Sequence, residues 1–205
     1  MKQLFTFLIV VGTIHFGFAQ ESYLSVGKNF TTYNYTNSLG ESNPNVSPSS
    51  GNSYEIGYAF PINDKLRFAS AVTLNEFNAT GGNFANNYSW STSYLGLQGV
   101  FKYPINSPYR SSYEIMLNAG LNVNHIINGQ QKIDGQTFNL TSEKEFTGVF
   151  AQPMLGLDMR YFILNNIALG VGYYYSKSFR VATASDQKLN FSNSQFQFNI
   201  IMSLN

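Results

Sequence analysis

The chain has 205 residues, a formal net charge of +1 and no cysteine. Only 11% of the residues are charged while 16% are aromatic, so the chain lacks the basic face that nucleic acid demands, and it offers no disulfide framework from which to read a compartment. Its wealth of Tyr, Asn, Ser, Thr and Gly is strand and turn chemistry, and its length suits one domain.

The N-terminus reads as an export signal. Lys2 supplies the positive start, Leu4 to Phe18 the apolar stretch, and Gly17-Phe18-Ala19 a small-x-small cleavage pattern before Gln20. That stretch is shorter than the roughly 20 apolar residues of a spanning helix. Residues 1–19 are therefore expected to be a cleavable signal peptide and residues 20–205 a single domain.

Eight segments then alternate between apolar and small or polar residues, the beat of an extended strand with two unlike faces. They are Tyr23–Phe30, Ser53–Phe60, Lys65–Leu74, Thr92–Tyr103, Tyr113–His125, Val149–Tyr161, Ile167–Tyr175 and Gln195–Leu204. In the fifth, Tyr113, Ile115, Leu117, Ala119, Leu121 and Val123 oppose Glu114, Met116, Asn118, Gly120, Asn122 and Asn124. The connections alternate too: residues 37–52, 78–87, 128–145 and 180–192 are long, whereas 61–64, 104–111 and 164–166 are short and lie on the side of the termini. The long connection Thr36–Asn52 is rich in Pro, Ser and Asn and reads as loop throughout.

Alternating strands also build soluble lipocalin-like barrels and β-sandwiches, with the apolar face inside. Here Gly57, Gly120, Gly156, Gly170 and Gly172 share a face with Glu114, Asp158 and Arg160. A soluble core does not collect charges, because an unpaired buried charge is costly. Tyr103, Tyr113, Tyr161, Tyr173 and Tyr175 stand near the ends of the apolar face, as in the aromatic girdles of a lipid–water boundary. The pattern thus predicts an all-β, eight-stranded, antiparallel transmembrane barrel with oil outside and polar groups within.

The signal, the eight alternating strands and segments such as Gly57–Phe68 and Met159–Ser176 resemble the small outer-membrane β-barrel family of OmpA-like and OmpX-like proteins. The resemblance spans residues 20–205. It implies residence in a Gram-negative-type outer membrane, contact with outer-membrane lipid, and assembly by the outer-membrane insertion machinery. The terminal aromatic residue common in that family is absent: the chain ends Ile200-Ile201-Met202-Ser203-Leu204-Asn205.

Strand parity points Arg67, Lys102, Glu114, Asp158 and Arg160 inward, near the end that carries the termini. In a lumen just wide enough for side chains to fill, these five are expected to pair into a network, either a structural plug or the gate of a narrow pore. Glu55 points inward apart from them, with no evident partner. Lys28 falls among the outward residues Leu24, Val26 and Phe30, at a depth read as mid-membrane, where it would cost about 2–4 kcal/mol; a bulge near Gly27 or a shifted first strand would relieve this.

The inventory for chemistry is thin. His125 is the only histidine after the signal and has no serine or carboxylate beside it in sequence, so it reads as an interfacial residue rather than a base. Asp134, Glu143 and Glu145 share a loop without metal-ligand spacing. No catalytic residue, metal or cofactor is expected. The reading is a plugged outer-membrane barrel with a structural or surface-interaction role through its outer loops. A narrow solute channel gated by the ion pairs comes second, and an accessory barrel with envelope or secretion partners third.

Overall fold

The structure is a computed structural model, and residues 20–36, 46–82, 87–106, 112–133, 135–181 and 188–204 are described here. Every regular element among them is a strand: β1 Gln20–Thr36, β2 Val46–Pro61, β3 Arg67–Gly82, β4 Asn87–Pro104, β5 Tyr113–Ile133, β6 Gln136–Asn139, β7 Val149–Leu164, β8 Ile167–Lys177, β9 Phe179–Arg180 and β10 Lys188–Leu204. The signal-peptide reading of residues 1–19 lies outside the described residues.

All pairings are antiparallel. Neighbours run β1-β2-β3-β4-β5-β7-β8-β10, and β10 returns to β1 with Gln20 opposite Leu204 and Thr36 opposite Lys188. The eight expected strands therefore close into a ring that leaves no unpaired edge, the condition for a sheet in lipid. β6 folds back on β5 as an outward extension of the hairpin, and β9 prolongs β8 against β7.

The ring is inside-out relative to a soluble protein. Leu97 and Phe198 on the outer face are each 68% exposed, whereas Glu114 and Asn118 inside are at 0%. Aromatic pairs border the outer apolar face: Phe60, Phe68 and Phe101 pack at ring distances of 5.5 and 5.1 Å towards the end that carries the termini. Phe30, Phe196 and Tyr173 do so at 6.3 and 4.8 Å higher up.

Two expectations are corrected. The strands run past the segments read from alternation, so Val46–Asn52 is strand rather than loop, as are residues 78–82, 87–91 and 128–133. There the outward residues become polar (Ser50, Asn78, Ser91, Ser192), and the apolar beat fades while the hydrogen-bond ladder continues. Lys28 does face outward, without a bulge at Gly27: Gly27 pairs with Ser53 and Lys28 with Asn52 in regular register. However, it sits near the upper boundary of the apolar face: one outward position above it comes Phe30, paired with Ser50 of β2, and beyond that Thr32 and Asn34 are polar. Its Nζ donates to Asn52 Oδ1 at 2.6 Å.

The bulge is on β2 instead, between Pro48 and Ser53. An extra residue there breaks the ladder, and side chains from both faces repair it. From outside, Glu76 Oε2 accepts from Asn52 N–H at 3.0 Å and from Asn52 Nδ2 at 2.9 Å. From inside, Asn29 Nδ2 donates to the carbonyls of Asn52 and Glu76 at 3.3 and 3.2 Å.

Candidate functional site: a lumen filled in three layers

Because every second residue of eight strands points into one narrow space, the lumen is where side chains distant in sequence meet. Its lowest layer, at the end with the termini and short turns, holds the charges. Arg67 and Lys102 face each other across β3 and β4, and Glu114 and Arg160 across β5 and β7. Arg67 Nη1 donates to both Glu114 oxygens at 3.0 and 3.2 Å. Arg160 closes on the same carboxylate through Nε and Nη2 and reaches Glu21 Oε2 through Nη1 at 2.7 Å.

A second group stands beside the first. Lys102 Nζ donates to Asp158 Oδ2 at 2.9 Å, and the Tyr174 hydroxyl spans both Asp158 oxygens at 2.8 Å. Gly156 makes room for this: a Cβ there would fall 2.4 Å from the Tyr174 ring and 2.7 Å from the Tyr173 carbonyl. All five charged residues singled out from parity thus lie in two adjoining clusters.

Glu21 was missed because it precedes the segment in which alternation becomes clear, although it shares inward parity with Tyr23. Glu55 has neutral partners rather than a cation: Tyr23 Oη and Gln98 Nε2 donate to its Oε1 at 2.7 and 2.8 Å. Three cations (Arg67, Lys102, Arg160) therefore face four carboxylates (Glu21, Glu55, Glu114, Asp158) in this part of the lumen. A cavity of about 20 Å³ between Glu21, Tyr23, Lys102, Asp158 and Asn199 has room for one water.

The middle layer is built of amides and hydroxyls. Asn193 Nδ2 donates to Asn29 Oδ1 at 3.0 Å and Asn29 Nδ2 to Asn75 Oδ1 at 3.2 Å. Asn122 Nδ2 donates to Thr73 Oγ1, Asn124 Nδ2 to Gln152 Oε1 and Gln152 Nε2 to Ser176 Oγ, at 3.0, 3.0 and 2.8 Å.

The upper layer is apolar, which the sequence reading did not anticipate. Tyr33, Phe77, Trp90, Tyr94, Phe150 and Phe191 point inward above the amides and pack as one cluster, with Phe77 and Phe191 rings 4.5 Å apart. Two residues from the connection between β6 and β7, Leu140 and Phe146, enter the same cluster from outside the ring of strands and are 2% and 6% exposed. The Phe146 ring meets Trp90 edge-on at 5.3 Å. Arg180 Nη2 ties that connection down through the carbonyls of Lys144 and Thr147. His125 lies on the outer face, its Nδ1 2.8 Å from the carbonyl oxygen of Gly148. Gly148 itself adopts φ 101°, a conformation that favours glycine. At the upper rim, Ser47, Thr80, Tyr88, Ser89 and Lys132 line an open depression of about 630 Å³.

No protein-family model matches the chain, and no curated protein matches it. Among solved structures, the outer membrane protein OprG from Pseudomonas aeruginosa aligns over 92% of this chain and 97% of its own, with a TM-score of 0.60 and 8% sequence identity. Neisserial surface protein A aligns over 89% and 97%, at TM-score 0.48 and 18% identity. The outer membrane protease OmpT from Escherichia coli aligns over 91% and 97%, at 0.48 and 6%. The last two scores are too low to carry an argument, and the OprG likeness bears on architecture alone. Together with the closed ring and its apolar exterior, it shows that the chain has the eight-stranded fold of the small outer-membrane β-barrels.

Proposed function

We propose that this chain is an outer-membrane protein whose barrel is plugged, and that it serves a structural or surface-interaction role through its outer loops. The observation that carries this reading is the filled lumen: ion pairs below, amides in the middle, and an aromatic layer sealed by Leu140 and Phe146 above. In this reading Arg67, Lys102, Glu114, Asp158 and Arg160 satisfy the polar floor of the plug and perform no chemistry. The apolar exterior contacts outer-membrane lipid, and the insertion machinery places the barrel there. Recognition of surface or envelope proteins falls to the rim above the membrane, where Tyr88, Lys132 and neighbouring hydroxyls form a concave, polar surface. The protein is not an enzyme in this reading.

A second reading, a narrow channel for small solutes, is favoured by one feature: the ion pairs and the 20 Å³ cavity occupy the same layer, so a change of partners would open space there. Reconstitution of the purified barrel in a planar lipid bilayer separates the two. The plugged reading expects no stepwise conductance, in the native protein or in Arg67→Ala and Glu114→Ala. Discrete, salt-dependent steps altered by either substitution would replace it with the channel reading.

A further inference from the structure

Among the described side chains, the outer wall formed by β1, β10 and β8 carries two lysines, Lys28 and Lys177, and no carboxylate. Both lysines are exposed, and neither forms an ion pair with a described residue. Lys28 Nζ spends one donor on Asn52 Oδ1 at 2.6 Å, and Lys177 Nζ stands over the Phe179 ring at 5.6 Å. Glu76, beyond Asn52 on β3, accepts from Asn52 rather than from Lys28. The register sets the two lysines level. Lys28 pairs across β10, through Phe196, with Tyr173 of β8, four residues short of Lys177. Two strand spacings and that climb put them about 16 Å apart. A ladder row followed around the ring from Asn124 through Glu55, Ser25 and Asn199 to Glu114 comes back ten residues lower on β5. Each strand step from β1 towards β8 therefore descends, and the climb along β8 offsets two such steps. The lysines end within about 4 Å of the same depth. Apolar Val26, Phe198 and Val171 lie below that depth on the wall, and Thr32, Asn34 and Ser192 above it. Ser194 of β10 stands between the lysines, its Oγ 3.2 Å from Tyr173 Oη.

We propose that Lys28 and Lys177 bind the phosphate head group of an anionic outer-leaflet lipid, whose chains lie on the apolar wall below. A cation at the edge of a lipid-facing surface is partly desolvated, and no side chain of this wall compensates it. At this depth the neighbour outside the barrel is a lipid head group rather than bulk water. A phosphate supplies the missing negative charge and several acceptor oxygens at once, and a lysine ammonium meets it as a point charge from many directions. Ser194 and Tyr173 offer hydroxyls to the same head group. A soluble anion would gain the charge contact alone, since only a lipid also covers Phe196, Phe198 and Val171. The site depends on the lipid-facing orientation of the wall and not on the plugged lumen.

The test is native mass spectrometry of the folded barrel, released from micelles that hold equal amounts of phosphatidylglycerol and phosphatidylcholine with identical chains. The two probe lipids share a phosphate and differ in net charge. The expected result is preferential retention of phosphatidylglycerol, reduced about fivefold in Lys28→Gln and by a similar factor in Lys177→Gln, the loss expected for one lysine near an anionic surface. Lys132→Gln removes the same charge from the upper rim and should leave the preference unchanged. Equal retention of both lipids by the native protein overturns the proposal. So does a preference that survives the double substitution, or one that falls equally in Lys132→Gln and so reflects net charge alone. Both lysines lie outside the lumen, and a gel of each variant, unboiled and boiled, separates loss of the site from loss of the fold.

Discussion

Glu114 sits between two guanidinium groups at 0% exposure. Its neighbours are the only reason it can be charged there, and it is equally the reason that they can be. Glu114→Ala is therefore expected to destabilise the folded barrel by about 3–5 kcal/mol, because it removes the carboxylate shared by the buried Arg160 and the partly exposed Arg67. Glu21→Ala should cost clearly less, since the Glu21 side chain is 18% exposed and Arg160 keeps Glu114. Urea unfolding of the barrel in lipid vesicles, read by Trp90 emission, checks both values; equal costs would deny Glu114 its central place. Lys28 invites the opposite experiment. At the upper boundary, with Asn52 as partner, its replacement by Leu should change stability by no more than about 1 kcal/mol. A gain of several kcal/mol would put it deep in the apolar belt after all.

At the scale of elements, two joints depend on single side chains. The β2–β3 bulge leaves the carbonyls of Asn52 and Glu76 to the Asn29 amide, so Asn29→Ala should cost about 1–3 kcal/mol by orphaning buried acceptors. Hydrogen exchange offers a local check: amides around residues 50–53 and 75–77 should lose protection first, while those of β7 and β8 keep theirs. The second joint is Gly156 on β7, where Tyr174 of β8 lies across the backbone to reach Asp158. Gly156→Val would drive a side chain into that ring and into the Tyr173 carbonyl. The expected result is a loss of about 1–3 kcal/mol, the usual penalty of overpacking, measured by the same unfolding experiment.

For the whole molecule, closure and filling have separate signatures. Closure of eight strands without an edge predicts a barrel that stays folded in detergent and changes its apparent mass on a gel only after heating. An unboiled sample that migrates like the boiled one would contradict it. Filling depends on the upper layer as much as on the ion pairs. Replacing Leu140 and Phe146 together by Ser should leave heat-modifiability intact but admit water to the aromatic layer, shifting Trp90 emission to longer wavelength. No shift would mean that the connection between β6 and β7 does not seal the lumen.

The sequence by itself determined the parts of this protein that depend on parity. In an extended chain the side a residue faces follows from counting, so the eight strands, the outward apolar face and the inward placement of Arg67, Lys102, Glu114, Asp158 and Arg160 could all be read before any contact was known. The alternation of short and long connections carried the up-and-down order for the same reason: it is local to each hairpin. Parity says which face, but neither how high nor beside whom. Height and neighbours depend on the register of eight strands wound around one axis, which joins Glu114 of β5 to Arg67 of β3 and Arg160 of β7, and Glu55 of β2 to Tyr23 and Gln98. Only the tertiary structure could therefore divide the lumen into layers and place Lys28 at the boundary. It alone shows that the inward face changes from polar to aromatic above the amides.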